Sequence, residues 1–272
     1  MRIRISHEFT HRFTPPARML IQNLRLTPHG FDSQYLLGWR ISVDVDAAVR
    51  QGEDAHGNIV SSFSYHGGPL EKLTVTARGE VETSDAAGVV RGAVERLPPD
   101  MYLRESPLAQ ANGAVREFAA RAAAGAADPL DAMHRLMAEL HEAMTLERAN
   151  ADASATAAEA FALERGQARD FAHVFIAGAR FLGRPARYVC GYRVGDDDAP
   201  PGAHAWAEAH VPVLGWVAFD ATVPICADER YVRVAVGFDA QDAAFFRGSQ
   251  AGAEDRVETA VFVEQARFQT QA

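Results

Sequence analysis

His204 and Asp220 stand 16 residues apart, each inside a short strand-like run, Ala-His-Ala-Trp-Ala-Glu and Gly-Trp-Val-Ala-Phe-Asp. That interval suits two adjacent antiparallel strands joined by a turn near Leu214-Gly215, with both side chains facing one point. A histidine titrates near the pH at which it both accepts and returns a proton, and a carboxylate behind it fixes the ring's tautomer. Such a pair serves acyl transfer when a nucleophile faces the ring. A helix N-terminus is a good seat for that nucleophile. Its unpaired amide hydrogens and macrodipole lower a thiol pKa and favour the oxyanion of a tetrahedral intermediate. Position 168, just ahead of Asp170-Phe171-Ala172-His173, is such a seat, and it holds alanine. Taken alone, His204 and Asp220 also fit a surface strand histidine and a turn acid.

The other reactive side chains read as structural. Cys190 and Cys226 are the two cysteines of the chain, each within apolar or strand-like sequence and without a cluster of metal ligands beside it, so neither a zinc site nor a disulfide framework is expected. His173 lies on the helix that follows position 168. His210 shares a strand face with His204 but lies about 20 Å away at roughly 3.3 Å per residue, too far to share a metal. Trp206, two residues beyond His204, shares its face and fits either a cleft wall or the core.

The elements that must position these residues follow from periodicity. Arg2 to about Glu82 is strand-like: Arg2-Ile3-Arg4-Ile5 alternates, Tyr35 to Val45 is aliphatic and aromatic, and Leu70 to Val81 alternates again. Pro15-Pro16, Asp54 to Asn58 and His66 to Pro69 supply the turns. Leu97-Pro98-Pro99-Asp100 breaks the pattern. Beyond it, Met133, Leu136, Met137 and Leu140 fit one helix face, with Asp128 or Asp131 as cap, and the same composition runs past Asn150 to a capping box at Thr156 and Glu159. Asp170 to Leu182 is a helix that stops before Gly183. Arg187 to Tyr192, His204 to Val213 and Trp216 to Asp220 are strands, and Asp196 to Gly202 is a loop. Two domains are expected, a β-rich one over residues 1–100 and a mixed one over 101–272.

Composition bounds the partners. The 272 residues are 48% hydrophobic, enough for two buried cores, and carry a formal net charge of -9 with no basic run, which argues against nucleic acid. The first residues alternate instead of forming an apolar stretch, and no segment reaches the roughly 18 to 20 apolar residues of a membrane span. A soluble, cytoplasmic protein is expected.

Four linked motifs carry a resemblance: Gly166-Gln167-Ala168-Arg169-Asp170-Phe171-Ala172-His173, Pro185-Ala186-Arg187-Tyr188-Val189-Cys190-Gly191-Tyr192, His204-Ala205-Trp206, and Gly215-Trp216-Val217-Ala218-Phe219-Asp220-Ala221-Thr222. The sequence resembles the bacterial transglutaminase-like family of the papain-like transglutaminase superfamily. Its members show Gly-Val-Cys-Gln-Asp-Phe-Ala-His, Pro-Ala-Arg-Tyr-Val-Ser-Gly-Tyr, His-Ala-Trp and Gly-Trp-x-x-Phe-Asp-Pro-Thr. The resemblance covers nearly the whole chain, including Arg2 to Glu8 and Val232 to Asp239. It implies an α+β chain, with an N-terminal antiparallel β-sandwich-like domain followed by a papain-like core of helices and antiparallel sheet. It implies a nucleophilic cysteine at 168, His204 as base and Asp220 as its orienter, with Gln167, Arg169 and Trp206 about the substrate cleft. It implies amidase, peptidase or transglutaminase chemistry on a peptide or protein, needing no cofactor or metal.

Two residues depart from the family's pattern, Ala168 for cysteine and Arg169 for glutamine. A methyl group cannot attack an acyl carbon, so the chain is expected to be inactive as it stands. One reading is an enzyme whose cysteine has been exchanged, alanine being a common laboratory replacement. Another is a natural pseudoenzyme that binds a peptide or glutamine-like group, which the second change at Arg169 favours. A third has His204 and Asp220 activating water directly.

Overall fold

Alternation along the first residues builds β1 (Arg2–Ala17): Ile3, Ile5, His7, Phe9, His11 and Phe13 are buried, while Arg4 and Arg12 face outward. The computed structural model describes residues 1–147, 155–196, 200–251 and 254–266. After β1 come β2 (Leu20–Thr27), β3 (Gln34–Val43), β4 (Arg50–Glu53), β5 (Ile59–Tyr65), β6 (Leu70–Thr83) and the two-residue β7 (Val89–Val90).

Helices dominate the middle of the chain: α1 (Gly113–Ala122), α2 (Pro129–Ala143), α3 (Ala157–Leu163) and α4 (Ala168–Phe181). The expected caps are present. The Asp128 carboxylate accepts from the Asp131 amide at 2.9 Å, and Thr156 and Glu159 form the reciprocal box that opens α3. Met133, Leu136, Met137 and Leu140 are all buried on one face of α2. Short β8 (Thr145–Leu146) and β9 (Arg165–Gly166) pair in parallel ahead of α4. The part of the alanine-rich continuation past Asn150 that runs to residue 154 lies outside the described residues, as do 197–199 of the expected loop.

The second half then forms β10 (Ala186–Arg193), β11 (Gly202–Val211), β12 (Gly215–Asp220), β13 (Ile225–Cys226) and β14 (Tyr231–Gly237). They make an antiparallel sheet in the order β13-β12-β11-β10-β14, with β7 added beside β12. α4 lies on one face of it, with Phe175 stacked 5.2 Å from Phe219 and His173 5.2 Å from Tyr188.

The chain ends with β15 (Phe246–Gln250) and β16 (Glu254–Gln265), and both go back to the first half. Two four-stranded sheets result, β16-β1-β6-β3 and β15-β2-β5-β4, which pack together through Phe9, Phe13, Leu20, Leu24, Phe63 and Val75. The sandwich is the one expected, but a division at residue 100 needs correcting at the level of sheets. β1 and β2 each have an edge that must be covered, and strands from beyond residue 245 cover them, while β7 crosses the other way. The cores merge as well, because Ile3, Ile5 and Val81 join the cluster built by the helices. Among the described residues, no helix is long and apolar enough to cross a membrane.

Buried histidines tie stability to pH. His7 on β1 places Nδ1 3.1 Å from the Tyr192 hydroxyl and Nε2 2.8 Å from that of Thr259, and burial lowers its pKa to about 4. His173 is fully buried and also lowered to about 4 by burial. Both titrate near 6.5 when unfolded, so between pH 6.5 and 4 the unfolded chain binds protons that the folded chain refuses. Their contribution is therefore complete above pH 6.5 and is lost as the pH falls toward 4, by at most about 3 kcal/mol for each ring. The midpoint of urea unfolding is expected to decline across that window, less steeply in His7→Gln. An unchanged midpoint between pH 7 and 4.5 would contradict this.

Candidate active site

The segment that opens α4 is shaped by its own side chains. Gln167 is extended and precedes the first helical residue, Ala168, and the Asp170 carboxylate turns back to accept from the Gln167 amide at 2.8 Å. Gly166 permits this, since a Cβ there would meet the Asp170 side chain at 2.8 Å. Asp170 is buried, which raises its pKa despite the Gln167 amide and the Arg169 guanidinium, whose Nε lies 3.5 Å away. Position 168 thus stands at the first residue of a helix, two residues earlier than the periodicity predicted.

His204 is the third residue of β11, and Asp220 is the last of β12. The His204 Nε2 lies 2.6 Å from Asp220 Oδ2. The same oxygen accepts from the Tyr231 hydroxyl at 2.7 Å, and Oδ1 accepts from the Thr222 amide at 2.9 Å and its hydroxyl at 2.6 Å. Burial alone would raise the Asp220 pKa, but His204 and these hydrogen bonds outweigh it and hold the group below its ordinary value. An ionised carboxylate only accepts, so Nε2 carries the proton and Nδ1 is left with a lone pair. The arrangement can therefore take a proton from a group that faces Nδ1. α4 packs on the other face of the sheet, against Ala205, Ala207, Ala209 and Phe219.

Trp206 lies between these groups and the sheet's interior. It is 2% exposed, with its ring 6.3 Å from His204 and 5.3 Å from Tyr231. Gly191 on β10 makes room, because a Cβ there would lie 2.0 Å from the Val232 carbonyl and 2.9 Å from the indole. Two residues further along β11, Glu208 is fully buried between Arg187, which donates through Nε at 2.6 Å, and Arg233, through Nε at 2.8 Å. Arg187 also donates twice to Glu95, at 2.7 and 3.0 Å, and stacks 3.9 Å from the Trp216 ring. Burial would raise the Glu208 pKa, but the two guanidinium groups pull it down to about 2.

The cysteines are closed to chemistry. The Cys190 thiol donates to the Ala243 carbonyl at 2.9 Å and is pushed up to about 12 by burial, and Cys226 is pushed up to about 11 for the same reason. His173 accepts from the Ala240 amide inside the core, and His210 packs on Trp216, 5.4 Å between ring centres. Of the residues singled out, the structure joins His204, Asp220 and Trp206 in one cluster, and Gln167, Ala168 and Arg169 in another at the start of α4.

Residues 116–221, which hold positions 168, 204 and 220, match the core of the transglutaminase-like superfamily, and residues 3–82 match the bacterial transglutaminase-like N-terminal region. The chain belongs to the transglutaminase-like superfamily. Two uncharacterized mycobacterial proteins are similar to this transglutaminase-like chain along most of its length. One, from Mycobacterium bovis, is 26% identical over 91% of the chain and 87% of its own, and one from Mycobacterium leprae is 26% identical over 92% and 94%. A solved structure from Cytophaga hutchinsonii, named as a candidate cysteine protease, shares the fold: its TM-score is 0.77 at 20% identity, covering 99% of this chain and 92% of that one.

Sequence reasoning missed Tyr231 and gave Thr222 no role. Thr222 lay in view, two residues beyond Asp220. Tyr231 had no local signal, as its link to Asp220 is made across strands. The buried ions had one: Arg187, Glu208 and Arg233 each interrupt an otherwise apolar strand, which asks for a charged partner.

Proposed function

We propose that this transglutaminase-like chain is a thiol acyl-transfer scaffold of the Cys-His-Asp type, for transfer or hydrolysis of amide or peptide acyl groups, that lacks its nucleophile at Ala168. The observation that carries the reading is the His204–Asp220 pair, 2.6 Å apart, in a chain whose α4 begins at position 168. With a thiol at 168, His204 Nδ1 takes its proton and the thiolate attacks the acyl carbon. The amides of the first turn of α4 stabilise the oxyanion, and the imidazolium returns the proton to the departing amine. Water or a second amine then releases the thioester. With alanine no thioester forms, and what remains is recognition of a peptide or protein ligand.

Arg169 supports a second reading, a natural pseudoenzyme that holds a peptide or glutamine-like group without covalent chemistry. Its guanidinium lies beside the carboxylate that shapes the first turn of α4, so the departure at 169 is packed into the fold.

Reaction with p-nitrophenyl acetate tests the scaffold. Peptide mapping is expected to find no acyl group at position 168 of the chain itself, an acyl group there in Ala168→Cys, and its loss in Ala168→Cys with His204→Ala. An Ala168→Cys protein that releases p-nitrophenol no faster than the parent, and carries no acyl group at 168, would end this reading.

A further inference from the structure

On the face of the sheet that carries His204 and Asp220, a cavity of about 40 Å³ lies between β11, β12 and β14 and the loops that follow β2 and β6. Neither His204 nor Asp220 lines it, so it adjoins the candidate active site without including the pair. Trp206 and Tyr231 form part of its wall, and Ser84 marks its exposed mouth. Trp206 is almost wholly buried, yet its indole N–H has no hydrogen-bond partner among the described residues. A buried donor left unmatched costs about 1 to 3 kcal/mol, which an acceptor placed in the cavity recovers.

Size and charge narrow the occupant. One water needs roughly 10 to 15 Å³ on this measure, so the space admits a group of about three or four heavy atoms. Its ionisable lining is Glu208, Asp228 and Arg233, and each is already paired, Asp228 with Arg230 and Glu208 with Arg187 and Arg233. Arg233 is already committed to Glu208 through Nε and Nη2. A carboxylate ligand would therefore find no free cation among the described residues of the lining. A neutral carbonyl needs none, and if it also carried N–H groups it would match the Ser84 and Asp228 oxygens.

We propose that this cavity is a binding site for a small neutral carboxamide, whose carbonyl accepts from the Trp206 indole and whose amide nitrogen donates toward Asp228 and Ser84. Because Tyr231 lines the cavity and also donates to Asp220, an occupant touches the side chain that holds the carboxylate behind His204.

Acetamide titrated into the full ¹⁵N-labelled chain tests the site, with the three indole N–H resonances as the readout and Trp206→Phe to assign them. Expected is a saturable shift at the Trp206 resonance, none at Trp39 or Trp216, and none with sodium acetate, which has the same shape and a negative charge. Ala86→Leu, which places a larger side chain against the cavity, is expected to abolish the shift, and Ser84→Phe at the mouth replaces it if that variant does not fold. A linear drift without saturation would mean that the cavity holds only water. An equal response to acetate, or a shift that survives both filling variants, would overturn the assignment. None of these outcomes depends on a thiol at 168 or on acyl transfer, so the acylation experiment and this titration fail independently.

Discussion

A thiol placed at position 168 by Ala168→Cys will react with iodoacetamide at neutral pH, where Cys190 and Cys226 stay silent, and its advantage will disappear with His204→Ala. The contrast rests on three environments. Burial pushes Cys190 up to about 12 and Cys226 up to about 11, so neither offers thiolate near pH 7. Position 168 is half-buried at the head of α4, where the helix dipole favours an anion. His204 adds a base whose tautomer Asp220 fixes. An ordinary thiol of pKa about 8.5 is only a few per cent ionised at pH 7, so lowering it by two units raises the labelling rate at that pH by about tenfold or more. Rates measured from pH 5 to 10 in both backgrounds decide the matter. A pKa near 8.5 in each would show that the site is no longer organised around 168, in favour of the pseudoenzyme. A low value that rises without His204 would show that only the sulfur is missing.

Glu208→Ala is expected to destabilise the chain by about 3 to 5 kcal/mol, because it leaves Arg187 buried with half its partners gone and Arg233 without its carboxylate. The loss follows from desolvation: a fully buried guanidinium cannot recover in water what it gives up inside. Asp131→Ala supplies the contrast. Its carboxylate pairs with Arg135 and accepts from the Ala127 amide at the exposed surface, where water screens both and replaces them when they are lost. Urea unfolding of the two variants, side by side, measures the difference. A Glu208→Ala protein within about 1 kcal/mol of the parent would mean that water reaches the network. The variant also bears on the site, since Glu208 lies on the same face of β11 as Trp206 and His204, and loss of the network loosens the strand that presents the base.

What could be read from the sequence was what repeats locally or travels as a linked motif. The stripe of Met133, Leu136, Met137 and Leu140, the Thr156–Glu159 box and the alternation of β1 each specify an element from a few neighbours. The spacing of His204 and Asp220 was legible for the same reason, because a short hairpin joins their strands. Pairings between distant segments were not. β16 alternates Val257, Thr259, Val261 and Val263 with Arg256, Glu258, Ala260 and Phe262, which marks a strand but says nothing of its neighbour. Tyr231, Trp206 and Asp220 come together from three strands. No spacing within any one of them encodes the meeting.

The pairing of β1 with β16, Ile3 to Thr14 against Gln265 to Glu254, has a bearing on how the chain matures as it is made. β1 is completed by a strand made long after it. Until residues beyond about 254 emerge, β1 has β6 on one side and an open row of amides and carbonyls on the other. The helices and the sheet that bears His204 can consolidate during that interval, since the strand pairings of that sheet lie between residues already synthesised. The half that is translated first is therefore the half that finishes last, and a stalled or clipped chain would expose β1 as a ready template for another molecule.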